Sequence, residues 1–424
     1  MSEYADFKRR FDSLVRKIKI LTTLKQTVCL PPAYDITSRQ WEVLESQLSA
    51  IASRLLLKLK NQGRIHLQRF NELASRKALN NLLGEMELQL TQYLKVYDTY
   101  VDILTQRCSP RLGTLLSACD VIAWDAINKK HPALAIVEPP IVFCDRGFGA
   151  SILREGVQIY GNERNPLPTI QIPYSKLVEQ YNLSSIVHET GHEAYVRLGL
   201  VSVIPKAVRQ ALEMVSASNI IKDFYSMWMS EIVPDFWTFC NCGMAHAATT
   251  TEILSLPSQL VFQVSPLDPH PTPYIRVLLS YEWCRYLWGR SGPWEKWERK
   301  WLDIYSMEDI PKESGKIVKE AAKYIPVITN VLFNTKFRNL QGRTLTSLFD
   351  LDVLKPWKLQ SIINLAETGV LKLTGLSPCA QLAVFRLLQD ADGYTEPTVY
   401  KLMTSWLKSL GRQKLTLTAD SKFR

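Results

Sequence analysis

The residues best suited to bind a metal ion are a histidine, glutamate, threonine, glycine and histidine at positions 188–192. They lie in a segment, 183–200, whose apolar spacing predicts a helix. Residues four apart share one helical face, so His188 and His192 can both reach one Zn²⁺ at bond lengths of about 2.0–2.1 Å. Glu189 is one position further round the helix, within reach of a water near the metal. The pattern predicts two zinc ligands and a general base.

A third ligand is offered by Glu231, which begins an E-x-x-x-D run that ends at Asp235. A glutamate here can complete a tetrahedral zinc site that keeps one position open for water. Asp235, one helical turn later, is placed to accept the free N–H of a ligand imidazole. Pro234 between them indicates either a first-turn position or a local kink. Glu213 is the alternative third ligand, but Ala217 stands where it would need an aspartate.

A helical H-E-x-x-H run followed by E-x-x-x-D resembles the gluzincin class of zinc metallopeptidases, the thermolysin-like group. The resemblance implies zinc as the cofactor and His188, His192 and Glu231 as its ligands. It further implies Glu189 as the general base and Asp235 as the residue that orients a ligand. The resemblance covers roughly residues 165 to 290 of this sequence.

The segment from Asp268 to Arg276 resembles the His-Pro element, followed by an arginine, of the prenyl-protein and heat-shock zinc endopeptidases. The resemblance implies that His270 donates to the oxyanion of a tetrahedral intermediate and that Arg276 braces the site. Tyr274 and His246 are alternative oxyanion donors, although His246 also fits an ordinary helical position. Those endopeptidases are mostly embedded in membranes, whereas this sequence has no run of roughly 18–20 apolar residues.

The surrounding elements are predicted to be mainly α-helical with a small β component, an α+β class. Residues 1–130 show amphipathic helical spacing and are predicted to form a helical N-terminal region. Prolines near 132–140 indicate a boundary. Residues 131–336 are predicted to form a zincin-like domain with a small mixed sheet and active-site helices, and 337–424 a small helical C-terminal region.

Three short strands are predicted at 141–144, 157–160 and 169–173. The last one ends in Pro173, which favours an edge position. It directly precedes the H-E-x-x-H helix, and in gluzincins the corresponding edge strand pairs with an extended substrate backbone. A strand that only supports the helix is the alternative interpretation.

The chain of 424 residues has a net charge of +10, and residues 1–80 hold 15 Lys and Arg against 7 Asp and Glu, a surplus of 8. A basic surface attracts nucleic acid, anionic lipid or acidic proteins. Because these charges follow amphipathic helices, we interpret them as solvated faces and expect no nucleic-acid binding. A regulatory protein partner that contacts the helical flanks remains an open alternative.

The eight cysteines form no dense disulfide pattern. Cys240 and Cys242 are one residue apart, and no second close pair completes a four-thiolate zinc site. No apolar stretch follows the charged first ten residues, so we expect no secretory signal. These features predict reduced thiols and a cytoplasmic protein without a membrane span.

Taken together, the sequence predicts an enzyme: a zinc metallopeptidase that cleaves a protein or peptide substrate. Zinc would activate a water, and Glu189 would take its proton. Two alternatives remain open. One is a zinc hydrolase that acts on a non-peptide amide. The other is a helical interaction protein whose zinc site is structural or vestigial.

Overall fold

A computed structural model describes residues 3–135, 138–147, 149–160, 163–308, 310, 312–367, 371–391 and 394–420. Over these residues the protein is mainly α-helical with a small β component, which confirms the predicted class. Within the same residues, no helix combines the length and the apolar character needed to cross a membrane.

The N-terminal helices form one hydrophobic core, to which Ile141 and Leu167 of the strand region also contribute. Their apolar faces follow the helical period: Phe11, Leu14 and Ile18 of the first helix are all buried. The third helix begins at a capping box, in which Thr37 accepts from the Gln40 N–H at 3.0 Å. The four helices are α1 (Glu3–Ile20), α2 (Leu24–Val28), α3 (Ser38–Gln68) and α4 (Leu73–Thr105).

The second, larger core contains the remaining helices. The first of them, α5 (Pro110–Ile127), is buried along most of its length. The others are α6 (Ser184–Arg197), α7 (Val203–Met214), α8 (Asn219–Cys242), α9 (Met244–Ile253), α10 (Ser258–Val261), α11 (Pro273–Trp288), α12 (Pro293–Ile304), α13 (Lys312–Lys323), α14 (Ile325–Asn334), α15 (Pro356–Glu367), α16 (Pro378–Leu388) and α17 (Glu396–Asp420).

The sequence predicts boundaries between three regions of the chain at residues 130 and 336, whereas the described residues form two hydrophobic cores. The second core takes in α5, which precedes 130, and α16 and α17, which follow 336. Helix α17 packs directly on α5. The predicted boundaries therefore stay predictions, and the helical C-terminal region shares its core with the central helices.

Five short strands lie between α5 and α6. They are β1 (Ile141–Cys144), β2 (Ser151–Leu153), β3 (Gln158–Tyr160), β4 (Glu163–Arg164) and β5 (Thr169–Ile172). The order of the three-stranded sheet is β1-β5-β2, with β5 parallel to β1 and antiparallel to β2, and β3 pairs with β4. The prediction of an edge position for β5 is wrong, because β5 is central. Pro173 follows its last residue, so the missing N–H falls outside the ladder.

The outer edge of β1 is covered by side chains. Asp120 accepts the Val142 N–H at 2.8 Å, and Arg107 donates to the Val142 carbonyl at 2.9 Å. The side chain of Gln106 bonds both the N–H and the carbonyl of Cys144, each at 2.8 Å. Within the described residues, β2 has a strand neighbour only on the β5 side. The edge that remains open to an added strand is therefore that of β2.

Candidate functional site

Two crossing helices position the predicted ligands. Helix α6 carries His188, Glu189 and His192, and α8 carries Glu231 and Asp235. The two helices pack closely against each other, since α6 has only a glycine where they cross. Because Glu231 and Asp235 are four residues apart, they occupy one face of α8. That face lies against His188.

The predicted ligand atoms converge. His188 Nε2 lies 3.3 Å from Glu231 Oε2, and His192 Nε2 lies 3.6 Å from the same oxygen. One donor atom from each of His188, Glu189 and His192 also lies within 4.8 Å of the other two, a grouping that could hold a metal ion. The alternative ligand, Glu213, is exposed and pairs with Arg209 at 3.7 Å. The structure thus brings Glu231 to the two histidines and leaves Glu213 at the surface.

Asp235 links His188 to a half-buried arginine. His188 Nδ1 donates to Asp235 Oδ1 at 2.9 Å, and Arg276 donates to both Asp235 oxygens at 2.7 and 2.8 Å. This bidentate pair holds the carboxylate in place, and the bond to Nδ1 directs Nε2 of His188 at Glu231. The arginine thus braces the site through Asp235, as the resemblance implied.

These contacts set the protonation states of the ligands. Burial alone would lower the pKa of His188, but the hydrogen bond and charge of Asp235, together with Glu231, raise it to about 10. Burial alone would raise the pKa of Asp235, but the charge of Arg276 and the bond to His188 hold it well below its usual value. Burial also opposes ionisation of Glu231, and the two imidazoles overcome it and lower its pKa.

Glu189 differs from Glu231 in its environment. It is buried, and burial raises its pKa despite the neighbouring imidazoles of His188 and His192. Its side chain borders the same cavity as the two histidines. A carboxyl whose pKa is raised towards neutrality is better matched to taking up and releasing a proton near pH 7.

Of the site residues predicted after α8, His270 reaches the ligands and Tyr274 does not. His270 Nε2 lies 3.5 Å from Glu231 Oε2, and its Nδ1 bonds Asp268 Oδ1 at 2.7 Å, so the loop before α11 reaches the site. Tyr274 is buried, packs against Phe262 with ring centroids 5.0 Å apart, and does not line the cavity. The structure brings His270 and Arg276 to the ligands and leaves Tyr274 in the core.

His246 borders the cavity from α9. Its ring stacks on Trp283 with centroids 5.9 Å apart, and burial lowers its pKa to about 4. Its imidazole is therefore neutral near pH 7. The predicted alternative donor is thus within the site, next to the Thr250 hydroxyl.

One cavity of about 730 Å³ is bordered by the three predicted ligands and by Glu189, Asp235, His246, His270 and Arg276. Its wall includes two elements that the sequence did not single out: residues 149–152 with Arg154, around β2, and Thr249 and Thr250 of α9. A three-residue strand is too short for a periodic signal, which is why β2 was missed. Among the described residues, every one that lines the cavity lies between 149 and 276, so neither helical flank covers it.

Comparisons with known protein families, with curated proteins and with solved structures find no match for this chain. The residues of the site are therefore what indicates a function.

Proposed function

We propose that this protein is a zinc-dependent metallopeptidase that hydrolyses peptide bonds in a protein or peptide substrate. The observation that carries the proposal is the convergence of His188, His192 and Glu231 beside Glu189 at the wall of a large cavity. The first three would hold the metal, and Glu189 would act as the general base.

The distances from Glu231 Oε2 to the two imidazole nitrogens are those expected around one tetrahedral ion. Ligand atoms at about 2.0–2.1 Å from zinc in tetrahedral geometry lie roughly 3.3 Å apart. The two imidazole nitrogens lie 3.3 and 3.6 Å from Glu231 Oε2. A direct charge-assisted hydrogen bond would be shorter, at about 2.7–2.9 Å. Two nitrogen ligands and one carboxylate also form a donor set that zinc hydrolases use.

The side chains around the ligands have distinct tasks. Bound zinc supplies Lewis-acid activation of water and of a carbonyl group. Glu189 accepts the proton of the attacking water and passes it to the leaving amine. Asp235, held by Arg276, keeps the His188 ring in the tautomer that leaves Nε2 free. His270 or His246 donates a hydrogen bond to the oxyanion that forms at the former carbonyl.

The strand beside the cavity favours a peptide over a compact amide. Four consecutive residues, 149–152, border the cavity, so the backbone of β2 and of the residues before it faces the space. An extended peptide can add to this open edge by main-chain hydrogen bonds. Pairing with the substrate backbone was predicted for β5 and is now proposed for β2.

The openness of the site argues against a purely structural zinc. Structural zinc sites are closed by four protein ligands, whereas catalytic sites keep one position free. His188 and His192 retain 15% and 22% exposure of their side chains and face the cavity. A structural zinc does not need to face a cavity of about 730 Å³.

We also propose a cytoplasmic location. All eight cysteines lie within the described residues, and each is a free thiol. Free thiols in this number are typical of a reducing compartment.

The proposal is tested by metal content and by turnover. The purified wild-type chain should hold about one zinc, Glu231→Ala should lose it, and Glu213→Ala, which changes the alternative ligand, should keep it. Glu189→Gln should retain zinc and lose cleavage of casein and of a peptide library. Peptide cleavage that persists in Glu189→Gln would exclude this mechanism. Cleavage of small non-peptide amides, with none of peptides, would favour the other class of zinc hydrolase.

A further inference from the structure

A second pocket borders β2 on the face of the sheet that lies against α4. It has a volume of about 250 Å³ and is formed between α4 and the sheet. We propose that this pocket is a specificity subsite that receives an apolar side chain of a peptide substrate added along β2. The inference rests on the proposed peptidase function and gives the N-terminal helices a part in substrate recognition.

Along β2, successive side chains point alternately towards the α6 side of the sheet and towards the α4 pocket. Ile152 lies opposite Ile170 in the sheet, and both contact the core that contains α6. The next residue, Leu153, lies opposite Thr169, and this pair lines the pocket against α4. Successive residues of a strand point to opposite faces of the sheet. A peptide added to β2 would therefore direct alternate side chains to the α6 side of the sheet, where the predicted metal ligands lie, and to the α4 pocket.

The walls of the α4 pocket indicate the kind of side chain that it takes. Val96 and Ile103 of α4 and Leu153 and Ile159 of the strands form the apolar part of the wall. Its polar members are Gln92, Lys95, Thr99, Tyr100 and Thr169. The Tyr100 hydroxyl, which could have bound a polar group, already donates to Asn165 at 2.7 Å. Leu153 is 37% exposed, so an aliphatic or aromatic occupant would remove apolar surface from water.

Two threonines of α4 provide a matched test. Thr99 lines the pocket, whereas Thr91, two turns earlier, does not. Both are exposed, and each hydroxyl bonds the carbonyl four residues before it, Thr99 to Lys95 and Thr91 to Glu87. Thr99→Trp would obstruct the pocket, and Thr91→Trp would place the same bulk elsewhere on the helix.

The experiment measures kcat/KM of the zinc-loaded full chain on quenched fluorescent peptides that vary one position at a time through Gly, Ala, Leu and Phe. At one position of the peptide, the kcat/KM of wild type should be roughly tenfold higher with Leu or Phe than with Gly. This is the position whose two neighbouring side chains face the large cavity. Thr99→Trp should remove that preference and change the Gly peptide little, while Thr91→Trp keeps the wild-type profile. Melting temperatures of both variants report whether each is folded.

Each outcome supports or overturns the inference. An unchanged preference in Thr99→Trp, or an equal loss in both variants, overturns it and leaves the peptidase function intact. A wild-type chain that binds zinc and cleaves none of the peptides overturns the proposed function, and the subsite with it.

Discussion

Gly191 packs directly against Pro234 where α6 crosses α8. A Cβ placed on Gly191 would lie 2.8 Å from the Pro234 Cα and 3.1 Å from the Trp237 Cβ, closer than packed atoms tolerate. The close approach brings Glu231 and Asp235 of α8 to His188 of α6. The glycine between the two histidines therefore allows α6 and α8 to approach this closely.

Gly191→Ala is expected to force α6 and α8 apart. We predict a loss of about 1–3 kcal/mol in the free energy of unfolding, together with weaker zinc binding. Gly84→Ala is the matched control, because Gly84 lies within α4 and nothing approaches its added Cβ within 4 Å. It should stabilise the protein by about 0.5–1 kcal/mol. Urea denaturation of both variants measures the difference, and equal effects would contradict close packing at Gly191.

Asp235→Asn is expected to weaken the metal site without removing a ligand. The substitution removes the charge that pairs with Arg276 and that holds His188 in its ligand orientation. Loss of such a supporting group costs about 10–100-fold in metal affinity. Asp223→Asn is the control on the same helix, since Asp223 pairs with Arg209 at the surface. Zinc affinity that is equal in the two variants would argue against the supporting role of Asp235.

His270→Ala separates two roles for this histidine. As an oxyanion donor, His270 should affect kcat by about 10²–10³-fold and leave the zinc content unchanged. As an additional metal ligand, which its 3.5 Å distance from Glu231 also allows, it should affect zinc affinity first. We expect the kinetic effect alone, since the His270 side chain is 53% exposed, whereas those of His188 and His192 are 15% and 22% exposed. Zinc titration and steady-state kinetics of the same preparation decide between the two.

Zinc and a proton are expected to compete for His188. In the metal-free chain, Asp235 and Glu231 outweigh burial and raise the pKa of His188 from 6.5 to about 10. The proton on His188 therefore stabilises the metal-free fold fully below about pH 6.5, and this contribution is lost as the pH rises through about 10. Zinc must displace that proton, so zinc affinity should rise about tenfold per pH unit between pH 6 and 8. Competition titration against a chromophoric chelator, corrected for its own protonation, measures the slope. A flat profile would contradict the raised pKa.

Local periodicity was enough to predict the helical part of the site. The four-residue spacing of His188 and His192, and that of Glu231 and Asp235, places each pair on one helical face whatever the rest of the chain does. The mainly α-helical class follows from the same periodic signal.

The arrangement between elements required the tertiary structure. Sequence spacing left both Glu213 and Glu231 as candidate ligands, and only the crossing of α6 and α8 places Glu231 at the histidines. The sequence also offered both Tyr274 and Arg276 as site residues. Helix α11 directs Tyr274 into the core and Arg276 to Asp235.

The order of the strands was likewise not visible in the sequence. Pro173 favoured an edge position for β5, while the sheet places β5 at the centre and leaves β2 open beside the cavity. Helical periodicity is a property of neighbours along the chain, so the sequence by itself determined which residues share a helical face. Helix crossings and strand order depend on contacts between residues distant in sequence, and these decided which faces meet and so which residues form the site.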